Sequence, residues 1–310
     1  MTSPDGAPAT ISGAELDFPR PGRRGSGTQH LLFTLVSELW GATWLPSRLL
    51  ARCARLLGVT PSSAQSGLSR LTTRGLLAQR QQGTRSEYRL TPEAEQRMVR
   101  GMRQVADFRA ARAWDRRWTC VCFSVPEGDR ARRDRLRHGL KWRGFGHLPA
   151  GMWVSARVGL EEVRRLFAEN AVSDYLAVRV DADELVGVDP LTAWDLDELA
   201  RVYEPFLDAF GSLARDAESG SLAPADAFAA NIRVVDAWRA SPWQDPDLPD
   251  ELLPPGHGAL AASELFQRLF RATLPGAQSA LDDLIAEEAP HLSGRLRVGG
   301  LLGRPPSTLQ

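Results

Sequence analysis

One helix must stop at Gly58 and another must start at Pro61, with only Val59 and Thr60 between them. Glycine just past an apolar stripe is a C-terminal stop, and threonine before proline is an N-cap followed by a pre-set first helical residue. The stripe before the stop, Leu49, Leu50, Cys53, Leu56 and Leu57, lies in PSRLLARCARLLG. After it, PSSAQSGLSRLTTRG returns Ala64, Gly67, Leu68 and Leu71 to one face at helical period. Two helices closed by so short a glycine-containing turn form a helix-turn-helix. Upstream, HLLFTLVSELW supplies another helix through Leu32, Leu35, Val36 and Leu39. Downstream, LLAQR and EYRL alternate around QQGTRS and predict a β-hairpin with Gly83 near its tip. Three helices and a hairpin in this order predict a winged helix-turn-helix over residues 28–91. The Pro, Gly, Ser and Ala content of residues 1–27 predicts a disordered tail before it.

The second helix of the pair carries a short polar outer face: Ser62, Ser63, Gln65, Ser66, Ser69, Arg70, Thr73 and Arg74. Hydroxyls meet base edges or phosphates, and arginine pairs bidentately with guanine, so such a face suits a major groove. A capped, solvated helix carries the same pattern, and the surroundings decide between the two. The hairpin adds Arg80, Arg85 and Arg89, placed to meet phosphates or a minor groove. Net charge is zero, from 38 basic and 38 acidic side chains, yet Phe18–Trp118 carries 18 basic against 6 acidic and residues 119–310 carry 20 against 29. A basic N-terminal part on an acidic remainder predicts a polyanion partner, here double-stranded DNA.

Thr91-Pro92 opens a linker helix over 92–115 whose Met98, Met102, Val105 and Phe108 form a stripe suited to packing or to joining two protomers. RRWTCVCFSVP, MWVSARV and SDYLAVRV read as strands, with a short extra strand around Phe145–Leu148. Between them run the helices DRARRDRLRHGLKW and LEEVRRLFAEN, so residues 116–185 predict a ferredoxin-like βαββαβ unit. The first of these helices holds Arg130, Arg132, Arg133, Arg135, Arg137, Lys141 and Arg143, for which the acidic segment Asp181–Glu288 is a candidate partner. Residues 186–290 read as a helical C-terminal domain ending in ALAASELFQRLFRATL, and residues 291–310 as an unstructured tail. Trp194, Trp238 and Trp243 line a pocket or, more commonly for tryptophan, fill core, and His257 and His291 have no partner legible in sequence. The whole is an α+β chain.

Several classes are excluded. No apolar run approaches the roughly 18 residues that a membrane span needs, so no membrane partner is expected. The N-terminus lacks the basic start and apolar stretch of a signal peptide, and a cytoplasmic protein is expected. Cys53, Cys120 and Cys122 sit in core-like segments and form no ligand-spaced cluster with the five histidines, so no metal is expected. GxGxxG, the P-loop, the nucleophile elbow and zinc-ligand spacing are all missing, which argues against an enzyme and against a cofactor.

The chain resembles the PaaX family of transcriptional regulators over roughly His30 to Leu274. The resemblance is carried by WTCVCFSVPE from Trp118, LKWRGFGHLPAGMWVS from Leu140 and DPDLPDELLP from Asp245. It implies a winged helix, a middle domain like the small CRISPR-adaptation nuclease, and a helical C-terminal domain. It also implies a homodimeric repressor on a palindromic operator, released by an aryl-acyl-CoA thioester. For that effector the candidate residues are Arg133, Arg137 and Lys141 for phosphates, with Trp142, Phe145 and Trp153 for the aryl-acyl end. The alternative is a nucleic-acid-processing or toxin-like nuclease built on the ferredoxin-like domain. Such nucleases need an acidic metal ligand at the end of the first strand, where this chain has Phe123-Ser124-Val125-Pro126.

Overall fold

The computed structural model describes residues 27–39, 44–96, 98–99, 108, 113–239, 241 and 245–300. Its first three helices are α1 (Gly27–Glu38), α2 (Ser47–Leu56) and α3 (Pro61–Thr73). Gly58 takes a left-handed φ of 74°, which ends α2 as expected. Gly67 lets α3 approach α1, because a Cβ there would overlap Leu32 Cδ1. A strand that the sequence did not reveal, β1 (Leu45–Pro46), precedes α2. Pro46 ends this strand and also caps α2 in an extended conformation, so the helix starts at Ser47. With β2 (Leu77–Gln82) and β3 (Arg85–Leu90) it forms an antiparallel sheet in the order β1-β3-β2. Gly83, at φ 63°, leads the two-residue connection of the hairpin, the glycine-first pattern of a type II′ turn. Thr91 Oγ1 accepts from the Ala94 amide at 3.2 Å and donates to the Gly75 carbonyl at 2.8 Å, tying the next helix to the end of α3.

The central unit runs β4 (Arg117–Phe123), α4 (Arg130–Trp142), β5 (Gly146–His147), β6 (Trp153–Ser155), α5 (Leu160–Glu169) and β7 (Tyr175–Asp181). The sheet order is β5-β6-β4-β7, with every pair antiparallel. One face packs Val121 and Trp153 against Leu136, Leu140, Val163 and Phe167 of the two helices. The other gathers Trp118, Cys120 and Val154 with Trp114 and Trp194, and Trp118 stacks on Trp194 at 6.1 Å. Cys122, expected in core, is exposed, because strand alternation turns it to this second face opposite the exposed Leu176. Three arginines of α4 and its C-cap pair locally and not with the acidic C-terminal segment. Arg132 pairs with Asp129 at 2.9 Å, Arg130 with Asp134 at 3.9 Å, and Arg143 with Glu162 at 2.7 Å.

The C-terminal region comprises α6 (Leu196–Arg201), α7 (Glu204–Glu218), α8 (Pro224–Trp238) and α9 (Ala259–Glu288). The sequence placed the end of the last helix near Leu274, but α9 continues through Pro275. Gly276 brings this turn against α8, where a Cβ would meet Ala227 Cβ at 2.8 Å. Beyond it Ala277, Leu281, Leu284 and Ile285 enter one core with Leu32, Leu49, Leu50 and Leu71 of the N-terminal unit. That burial offsets the roughly 3 kcal/mol that proline costs inside a helix. The expected tail is also corrected over 291–300. Leu292, Leu296 and Val298 are buried in the same core, and the Val298 amide donates to Gln278 Oε1 at 3.0 Å.

Met98 and Phe108 are likewise buried within the chain, Phe108 edge-on to Trp238 at 5.6 Å, so these members of the linker stripe are not free to join protomers. Met102, Val105, Trp243 and residues 1–26 and 301–310 lie outside the described residues. Trp238 fills core, stacked on Phe266 at 4.9 Å. His257 does have partners: its Nδ1 accepts from the Ala259 amide at 3.3 Å, and its ring lies 6.0 Å from that of Tyr203. Among the described residues no helix is long and apolar enough to cross a membrane. The architecture is mixed α+β: two small antiparallel sheets flanked by helices, then a helical C-terminal region.

Candidate nucleic-acid interface

The cap of α3 forms as its residues dictate: the Ser63 amide donates to Thr60 Oγ1 at 3.3 Å, ahead of Pro61. Ala64, Gly67, Leu68 and Leu71 are buried, which turns Ser62, Ser63, Gln65, Ser66, Ser69, Arg70 and Thr73 outward, all exposed. The Thr73 hydroxyl donates to the Ser69 carbonyl at 3.1 Å and keeps its lone pairs available. Arg70 has no carboxylate within ion-pair distance among the described residues. Arg74 departs from this face. It is the C-cap of α3, half-buried, and its guanidinium donates to Gln29 Oε1 at 3.3 Å.

The three hairpin arginines differ in kind. Arg85, beside the turn, is exposed and has no carboxylate partner among the described residues. Arg80 grips Glu87 through Nη2 at 2.6 Å and Nε at 2.7 Å, and Glu87 is only 5% exposed. Trp44 stands 4.5 Å from the Arg80 guanidinium and 4.6 Å from that of Arg89. The indole therefore holds both cations on the outer face of the sheet. Register explains the grouping: Leu45 pairs with Tyr88 and Arg80 with Glu87, so Trp44, Arg80, Glu87 and Arg89 share one face. Sequence reasoning missed Trp44 because it missed β1, the strand that brings it there.

A polar cluster joins α1 to α8. His30 Nδ1 lies 2.5 Å from Asp236 Oδ1, to which the Thr34 hydroxyl donates at 2.6 Å. Arg239 donates to Thr34 Oγ1 at 3.3 Å. Glu38 is 1% exposed, and burial pushes its carboxyl up to about 7 against the opposing pull of Arg239. Burial likewise lowers the Arg239 guanidinium, with Glu38 and Asp236 opposing. The N-terminal unit is thus locked onto the C-terminal helices by charge as well as by apolar packing.

In the central unit a cavity of about 210 Å³ opens at the end of β4, between α4 and the strands β5 and β6. Of the expected effector residues, it brings together Arg133, Arg137 and Trp153 and adds His147 and Ser124. Lys141 is exposed and Trp142 half-buried, and neither lines it. Phe145 is 3% exposed and packs in the core, which removes it as a receptor for an aryl group.

Residues 111–187 match the family described as PaaX protein central Cas2-like domain, and residues 194–283 match the PaaX-like protein C-terminal domain. The chain is similar to the Transcriptional repressor PaaX of Escherichia coli (strain K12), with 26% identity over 291 residues, 86% of this chain and 84% of that protein. Among solved structures it is similar to the Uncharacterized protein Rv0674 from Mycobacterium tuberculosis, with a TM-score of 0.48 and 20% identity over 81% of this chain and 96% of that one.

Proposed function

The chain belongs to the PaaX family of transcriptional regulators, which are not enzymes, and from that premise we propose that it is a sequence-specific DNA-binding repressor acting in the cytoplasm. In this reading the N-terminal unit is a winged helix-turn-helix and the central unit is ferredoxin-like. The observation that carries it is the exposed hydroxyl-and-arginine face of α3, followed directly by a hairpin with Arg85 at its tip. Arg70→Ala is expected to cost about 1–3 kcal/mol at the specific site and to relax preference at one base pair. Arg85→Ala is expected to reduce the steepness of the fall of log K with log salt by about one unit. Arg80→Ala should lower it less, because Glu87 already neutralises that charge. Binding titrations on operator variants at several salt concentrations check all three. Equal weakening on every sequence would make Arg70 a phosphate contact only.

A homodimer on a palindromic operator belongs to the same reading, since two-fold proteins match two-fold sites. Its support is β7, which lies at an edge of its sheet with Leu176 64% exposed and Val178 39% exposed. Exposed apolar residues on an edge strand are a pairing surface. Sedimentation should give the mass of two chains, and Leu176→Glu should shift it towards one. A one-chain mass at micromolar concentration, with and without DNA, rules the dimer out. An acyl-CoA thioester that weakens operator binding completes the proposal, its support being the cationic cavity of the central unit.

A further inference from the structure

We propose that the cavity at the end of β4 is a binding site for a single phosphate or diphosphate group, which it anchors without enclosing the rest of the ligand. Its regulatory meaning rests on the repressor reading above, but binding itself is measured apart from DNA. Arg133 is held in place by neutral acceptors: its guanidinium donates to the carbonyls of Val125 at 3.1 Å and Pro126 at 3.4 Å. The pinning uses donors but leaves the charge uncompensated. Arg137 lies one turn further along α4 on the same side and also has no ion pair among the described residues. The two neighbouring acids of the helix are engaged elsewhere, Asp129 with Arg132 and Asp134 with Arg130.

The same lining includes His147 on β5, its ring edge-on to Trp153 at 4.8 Å, and Ser124 just past the end of β4. The cavity lining holds no carboxylate. Two guanidiniums with an imidazole and a hydroxyl are oxyanion donors, and charge-assisted bonds from arginine to phosphate are among the strongest available. Two guanidiniums and no carboxylate make the same set repel a cation such as Mg²⁺ or Ca²⁺, which such sites hold mainly through carboxylate and carbonyl oxygens. Size limits the ligand further. At about 210 Å³ the cavity falls below the roughly 300 Å³ at which pockets begin to enclose whole small molecules. Trp153, which lines it, is only 3% exposed, its indole already covered by the core. The anionic group is held, and whatever it is attached to lies outside.

The test is calorimetric titration of the full chain with inorganic diphosphate at low salt, in the wild type, Arg137→Gln and Arg135→Gln. Arg135 is an exposed arginine of the same helix outside the cavity. Saturable binding to one site per chain is expected, weakened about tenfold or more by Arg137→Gln and unchanged by Arg135→Gln. Coenzyme A is titrated in competition. Displacement of diphosphate assigns the site to the phosphates of a nucleotide-type ligand, and binding without displacement assigns it to the free anion. Absence of saturable heat, equal loss in both variants, or displacement of diphosphate by operator DNA overturns the proposal. Operator affinity of Arg137→Gln is measured without diphosphate. An intact value there, beside lost diphosphate binding, separates the fate of this site from that of the repressor reading.

Discussion

A chain ending at Ala289 is expected to be less stable than the full chain by roughly 5–9 kcal/mol, since burying a large apolar side chain is worth about 1.5–3 kcal/mol. Three such side chains are lost: Leu292 and Leu296 are 1% exposed and Val298 is 7% exposed. All three sit in the core that the N-terminal unit shares with α8 and α9. The truncation also strips Gln278 of both main-chain partners, the Leu296 carbonyl and the Val298 amide. A loss of that size is a large share of the roughly 5–15 kcal/mol that holds a domain folded. On the repressor reading, operator affinity should fall with it, because the surface that supports α1 and α2 goes too. Urea unfolding of the truncated chain, beside Leu296→Ala at an expected cost of about 2–5 kcal/mol, provides the measure. An unchanged midpoint would show that the segment contributes no stability.

The second large effect is a pH dependence set by Glu38. Its carboxyl ionises near 4.5 in the unfolded chain and at about 7 in the fold, where burial disfavours the anion. Between those values the folded chain keeps a proton that the unfolded chain has released. Stability is therefore full below pH 4.5 and declines as pH rises through about 7. The integrated loss is about 3 kcal/mol, because holding a proton across one pH unit is worth about 1.36 kcal/mol. Glu38→Gln should abolish this decline and leave the variant more stable than the wild type above pH 7. Thermal unfolding from pH 5 to 8 tests it, and parallel curves for the two proteins would remove Glu38 as the cause. The site tolerates little else: Gly300 closes on it, where a Cβ would sit 3.0 Å from both carboxylate oxygens.

The helices α2 and α3 and the short turn between them were legible because each of their signals is local. Gly58 stops α2 by its own backbone freedom, and Thr60 caps α3 through an amide three residues away. The inward face of α3 follows from helical period alone. The strand β1 was not legible, because two residues carry no period and exist as a strand only by pairing with β3. With it went Trp44, and hence the difference between Arg85, which is free of carboxylates among the described residues, and Arg80, which is spent on Glu87. Glu87 faces Arg80 across the hairpin, a pairing that alternation implies but that basic composition hides.

What the sequence by itself determined was where α2 stops and α3 starts and which helix and strand faces are apolar, since caps, turns and periodicity act over a few residues. It determined the family by the same kind of local motif, in the runs beginning at Trp118, Leu140 and Asp245. Only the tertiary structure decided which polar groups are engaged and which apolar faces are covered. Thr34 meets Asp236 across 202 positions of sequence and Arg52 meets Glu288 across 236. The extension of α9 past Pro275 and the burial of Leu296 and Val298 likewise depend on a surface built by α1 and α2 at the other end of the chain. Contacts of that kind leave no period in the sequence, because neither partner's neighbours are constrained by the other.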